Sequence, residues 1–145
     1  MKVRQLLIVE DNVADATLIL EFVRATNSTV DATVIKDGEE AMSYLLQIGS
    51  HSSALRPDLV ILDLNLPNKD GREVLSEVKN HPSLKSIPIM IFTTSQAEDD
   101  ILSCYRNHAN CYVTKPMELE KFAEIIKLVD RHWFRTVRLP MASLL

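Results

Sequence analysis

The stretch LVILDLNLP, Leu59 to Pro67, is almost wholly apolar apart from one carboxylate, that of Asp63. An ionised acid at the end of a run suited to burial is costly unless something balances it. A second acidic pair, Glu10 and Asp11, directly follows another apolar run in LLIVEDN. If the two runs are neighbouring strands, three carboxylates converge at one edge. At an effective dielectric of about 20, each close pair would cost on the order of 4 kcal/mol. Lys115, in CYVTKPM, is one counter-charge, and Pro116 keeps its ammonium near the same edge. One ammonium does not neutralise three acids, so a hard divalent cation is expected as well. A few carboxylates, a backbone carbonyl and waters, with room for a phosphate oxygen, suit Mg2+ better than Zn2+. A further stretch, FTTS, ends an apolar run with the hydroxyl of Thr93, placed to donate to an oxyanion held by Lys115 and the metal. The chemistry expected of such a set is stabilisation of a phosphoryl group. The competing role for Glu10 and Asp11 is as ordinary caps of a helix N-terminus.

These residues act together only if the chain brings them to one place. Apolar runs of strand length recur at Gln5 to Val9, Ala32 to Ile35, Leu59 to Leu62, Ile89 to Phe92 and Cys111 to Val113. Segments of helical period lie between them. Asn12 caps the first, which runs to about Thr26, and Asp37 or Gly38 opens the second. The others span roughly Gly71 to Asn80, Ala97 to His108, and Glu118 to Trp133. Strands alternating with helices predict a parallel sheet covered on both faces, which also explains why LVIL is apolar throughout. Ligands bind such sheets at the carboxyl ends of the strands, where Asp63 stands. The segment GSHSSALR, Gly49 to Arg56, reads as a polar loop.

The remaining composition narrows the function. With 145 residues, 46% hydrophobic and 25% charged, the chain predicts one globular domain. A net charge of −4, without a block of like charges, argues against direct nucleic-acid binding. Acids interrupt the first apolar run before a secretory segment is complete, and no transmembrane stretch follows, so the expected location is cytoplasmic and membrane insertion is not expected. Cys104 and Cys111 form no CxxC pair, and His51, His81, His108 and His132 lack metal-ligand spacing, so neither set is given a chemical role.

The set Glu10 and Asp11, Asp63, Thr93, and Lys115 with Pro116, in that order at successive strand ends, resembles the receiver domain of two-component response regulators. The resemblance spans about Leu6 to Val129. It implies a (βα)5 flavodoxin-like fold, a doubly wound parallel five-stranded sheet, that accepts a phosphoryl group from a sensor histidine kinase. By the same resemblance Asp63 is the phosphoacceptor. Asp11, Asp63 and the backbone carbonyl of Asn65 bind Mg2+, Glu10 contacts it through water, and Thr93 and Lys115 hold the phosphoryl oxygens. Tyr112 occupies the position of an aromatic switch that moves with Thr93. Asn65 and Ser95 flank the path of the attacking water, which implies autodephosphorylation. Thr94 is larger than the residue usual at that position and narrows the route for small donors. No organic cofactor is implied.

HWFRTVRLP, KDGEEAMSYLL and FTTS resemble single-domain regulators partnered with phytochrome-type histidine kinases. The expected organisation is a receiver at 1–131 and a C-terminal extension at 132–145, standing alone, because an output module would need on the order of 60 further residues. The extension either packs on its own domain through Trp133, Phe134, Val137 and Leu139 or joins a homodimer interface formed by the fourth helix, fifth strand and fifth helix. A phosphorylation-dependent signalling module, not an enzyme in the usual sense, is the leading expectation. An unphosphorylated scaffold and an aspartyl-phosphate phosphatase are the alternatives. The first is opposed by the intact acid, Thr93 and Lys115 set, the second by the lack of a second acid two residues after Asp63. A flavin or dinucleotide enzyme is opposed by the absence of a glycine loop after the first strand.

Overall fold

The computed structural model describes residues 3–26 and 29–141. Its strands are β1 (Arg4–Val9), β2 (Val30–Ile35), β3 (Leu59–Leu62), β4 (Ile89–Thr93) and β5 (Cys111–Thr114). They form one parallel sheet in the order β2-β1-β3-β4-β5. The helices are α1 (Val13–Ala25), α2 (Gly38–Leu46), α3 (Gly71–Asn80), α4 (Glu98–Arg106) and α5 (Leu119–Val129). This doubly wound parallel sheet has the flavodoxin-like order expected from the sequence.

Strand alternation divides the core between the two faces. Leu6, Ile8, Leu59, Ile61, Met90 and Phe92 pack with Ile19 and Val23 of α1 and with Phe122, Ile126 and Val129 of α5. The intervening residues Leu7, Val9, Val60, Leu62, Ile89 and Ile91 pack with α2, α3 and Cys104 of α4. Both faces of β3 are therefore dry, and the continuous apolar run is what that position requires.

The caps follow local chemistry. Asn12 accepts the Asp15 N–H at the start of α1, and Asp37 accepts those of Glu39 and Glu40 at the start of α2. Asp70 accepts the Arg72 N–H at the start of α3.

Some boundaries differ from the expected ones. β2 begins two residues before Ala32, as edge residues of mixed polarity extend its pairing with β1. α4 is shorter at both ends than Ala97 to His108. Its end is set by His108, whose φ of 68° leaves the helical region. The loop after α2 contains a 3-10 turn, Gly49–His51, with His51 edge-on to Tyr44 and 3.1 Å from Glu40. α5 continues beyond Val129 in wider π-type turns over Asp130–Thr136, where Val137 N–H bonds the His132 carbonyl at 2.9 Å. No break separates residues 131 and 132, and Trp133 and Phe134 are half-buried against the α1/α5 face of the core. Among the described residues, no helix is long and apolar enough to cross a membrane.

Candidate functional site

The carboxyl ends of β1, β3, β4 and β5 gather the residues singled out by type and spacing. Val9 pairs with Leu62, and Asp63 N–H bonds the Val9 carbonyl at 3.0 Å, so Glu10 and Asp63 leave the sheet side by side. Thr93 pairs with Thr114, and Lys115 N–H bonds the Thr93 carbonyl at 2.7 Å. Continuing the period-2 alternation puts Glu10, Asp63 and Lys115 on the side facing α1 and α5. Thr93 and Tyr112 fall on the side facing α3 and α4.

Lys115 is the electrostatic hub. It is 8% exposed, and its Nζ lies 2.5 Å from Glu10 Oε1, 2.8 Å from Asp15 Oδ2 and 3.0 Å from Asp63 Oδ2. Burial works against its charge, but the bonds to Asp15, Glu10 and Asp63 outweigh that cost and hold its pKa above the ordinary lysine range. Glu10 is 2% exposed, and its Oε2 also accepts the Asn12 N–H at 3.1 Å. Burial, with the neighbouring Asp63 charge, pushes its carboxyl up to about 7 against the pull of Lys115. Burial acts on Asp63 in the same sense, but Glu10 and Lys115 bond its ionised form and the net shift is downward. One ammonium thus leaves the cluster with surplus negative charge.

Asp63 offers its oxygens unequally. Oδ1 accepts the N–H of Leu64 at 2.7 Å and faces that of Asn65 at 3.5 Å, whereas Oδ2 faces Lys115. Thr93 is fully buried, and its Oγ1 completes no hydrogen bond among the described residues. It lies near enough to Asp63 to favour the ionised carboxylate. A buried hydroxyl without a bonded partner is a donor held ready.

Asp11 and Asn65 are exposed beside this centre, and the Asp11 carboxylate has no partner among the described residues. No group of three or more His, Cys, Asp or Glu gathered as a ready metal-binding set occurs among the described residues. The acids nearest Lys115 are already committed to it. What remains is the exposed Asp11 carboxylate and the Oδ1 of Asp63, which Lys115 does not take, with the carbonyl of Asn65 two residues further along the chain. That oxygen-only set fits a hard cation that keeps several waters, and the surplus charge gives it a reason to bind.

Asp15 is the member that its sequence position does not reveal. An acid in the first turn of a helix is ordinary dipole chemistry, and nothing marks one as the partner of a lysine 100 residues away. Glu10 and Asp11 do not cap α1, since Asn12 takes that role. Tyr112 is half-buried against the α3/α4 core, its hydroxyl donating to the Ser95 carbonyl at 2.9 Å. Cys104 is buried and Cys111 partly so, and burial raises both thiols.

Comparison with known proteins agrees with this arrangement. The response regulator receiver domain model matches residues 6–127. The chain is 42% identical over 137 residues to response regulator Rcp1 of Synechocystis sp., covering 94% of this chain and 93% of that protein. The crystal structure of the Mn2+-bound form of Rcp1 superposes with a TM-score of 0.92 at 41% identity, covering 95% of this chain and 99% of the other. The phosphorylated cyanobacterial phytochrome response regulator RcpA superposes with a TM-score of 0.94 at 45% identity, covering 97% and 100%. With five strands in receiver order and an acid, hydroxyl and lysine set at their carboxyl ends, the chain belongs to the response regulator receiver domain family and has its phosphoacceptor role in two-component signalling.

Proposed function

We propose that Asp63 accepts a phosphoryl group from the phosphohistidine of a sensor histidine kinase of phytochrome type. The observation that carries this reading is Asp63 itself, 7% exposed at the end of β3, with Lys115 Nζ 3.0 Å from its Oδ2. The Leu64 N–H engages Oδ1, which leaves Oδ2 as the attacking oxygen. A bond forms from Oδ2 to phosphorus as the phosphorus–nitrogen bond of the donor breaks, and the electron pair departs with the imidazole. Lys115 transfers its hydrogen bond from Oδ2 to a phosphoryl oxygen, and the Thr93 hydroxyl donates to another. Asp11, Asp63 and the Asn65 carbonyl would hold Mg2+, with Glu10 reaching it through water. Bound there, the ion neutralises charge on the transferring phosphoryl group. The RcpA and Rcp1 resemblances support the phytochrome-type partner and the divalent ion, respectively.

Self-catalysed phosphotransfer and autodephosphorylation belong to the same reading, with Asn65 and Ser95 beside the path of water and Tyr112 following Thr93. The receiver unit is residues 1–131 with an extension at 132–145, and the expected compartment is the cytoplasm. The regulator acts as a homodimer through α4, β5, α5 and the extension. In support, β5 is an edge strand flanked by exposed Leu102, Tyr105 and Leu128, beside an apolar recess of about 190 Å3 lined in part by Val113, Ile125 and Trp133.

The experiment is incubation with Mg2+ and a phosphodonor, followed by intact mass. The parent should gain one phosphoryl group and Asp63→Asn none. Equal uptake by both would remove Asp63 from the role.

A further inference from the structure

Arg72, the second residue of α3, does not touch the acids around Lys115. Its Nε donates to Asp100 Oδ1 at 2.9 Å, and its Nη2 lies 2.8 Å from the same carboxylate oxygen. Its Nη1 donates to both oxygens of Asp70 at 3.1 Å. Asp100, in the first turn of α4, uses its other oxygen to accept the Ser95 hydroxyl at 2.6 Å. Ser95 Oγ accepts from the Ala97 N–H at 3.3 Å, and the Ser95 carbonyl accepts from the Tyr112 hydroxyl at 2.9 Å. One chain of contacts therefore runs from α3 through α4 and the loop after β4 to β5, passing two residues from Thr93.

Arg72 and Asp100 are too exposed for this chain to matter mainly as stabilisation, with side chains 37% and 21% accessible. Its consequence is orientation. A serine hydroxyl has one proton, and while Asp100 receives it, water or a phosphoryl oxygen near Asp63 does not. Bonds from Ser95 and Arg72 lower the Asp100 pKa, so the acceptor stays ionised. The far end of the chain is anchored to the phosphoacceptor backbone. Gly71 N–H bonds the Leu64 carbonyl at 2.9 Å, and a Cβ at Gly71 would stand 2.1 Å from the Asp63 carbonyl oxygen. Arg72 thus follows a residue that cannot drift from Asp63.

We infer that Arg72 and Asp100 are positioning residues that hold the Ser95 hydroxyl away from the phosphoryl group on Asp63 and so lengthen the life of the aspartyl phosphate. The inference rests on the proposed function, in which Asp63 is the phosphoacceptor and Ser95 stands beside the path of water. In hydrolysis a water oxygen bonds to phosphorus, the bond from phosphorus to Asp63 Oδ2 breaks, and the carboxylate leaves with the electron pair. The water protons go to the released phosphate and to solvent. A Ser95 hydroxyl freed from Asp100 orients that water, and the reaction quickens.

The test phosphorylates the parent, Arg72→Met, Asp100→Ala, Ser95→Ala and the two double variants with Ser95→Ala, then follows loss of the phosphoryl group by intact mass. Arg72→Met and Asp100→Ala should each decay about fivefold faster, the scale of one hydrogen bond, and neither should add anything once Ser95 is alanine. Without any donor, the Ala97 amide should exchange with solvent faster in Arg72→Met than in the parent. Unchanged decay, or equal acceleration in the Ser95→Ala background, overturns the inference while leaving Asp63 in its role. A parent that takes up no phosphoryl group overturns both.

Discussion

Lys115 gives each of its three N–H bonds to a different carboxylate, so removing it strands acids that are already desolvated. Lys115→Met should lower metal-free stability at pH 7 by about 3 kcal/mol, read from urea unfolding, because breaking a buried pair leaves the other charge uncompensated. Glu10 makes a separate prediction about pH. Its folded pKa of about 7 stands above the ordinary glutamate value of 4.5, so the folded state holds the proton more tightly than the unfolded chain. Its contribution is fully present below pH 4.5 and is lost as pH rises through about 7. Metal-free protein should therefore become less stable across that window. Glu10→Gln should flatten the decline, and a decline of unchanged size in that variant would exclude Glu10 as its source.

At the scale of elements, the site depends on how closely α3 approaches β3. Gly71 opens α3 where an added Cβ would lie 2.1 Å from the Asp63 carbonyl oxygen and 2.7 Å from Leu64 Cα. Both are backbone atoms, so no side-chain adjustment relieves the overlap. Gly71→Ala should cost about 2 kcal/mol in denaturant unfolding and slow phosphorylation of Asp63, since relief requires moving the loop that carries it. A variant as stable and as reactive as the parent would show that α3 has freedom to withdraw. α1 contributes in another way, its first turn bringing Asp15 Oδ2 to 2.8 Å from Lys115 Nζ.

At the scale of the whole molecule, the α4, β5 and α5 surface combines an edge strand with exposed apolar side chains. Leu128 is 59% accessible and lines the apolar recess beside Trp133. If the proposed homodimer forms through this surface, Leu128→Glu should yield a monomer by light scattering where the parent is dimeric, with little change in the melting temperature, because its side chain already faces solvent in the single chain. Persistence of the dimer would place the interface elsewhere. Trp133 and Phe134 contribute to the core of their own domain, so the proposed interface begins from a surface on which they are already half covered.

The alternation of apolar runs and helical segments was legible because it reflects local periodicity and burial, and it led to the observed sheet with only its element ends displaced. Glu10, Asp11, Asp63, Thr93 and Lys115 were legible because each stands next to a run whose end is marked by the loss of apolar character. The tertiary structure alone decided which acids share the ammonium. Asp15 joins Lys115 while Asp11 faces outward, although both follow the same strand within a few residues. It also decided that Ser95 gives its proton to Asp100 and that the helix after Val129 continues in wider turns. Periodicity reports which face a residue takes, whereas the pairing of distant charges depends on distances set by how the faces pack.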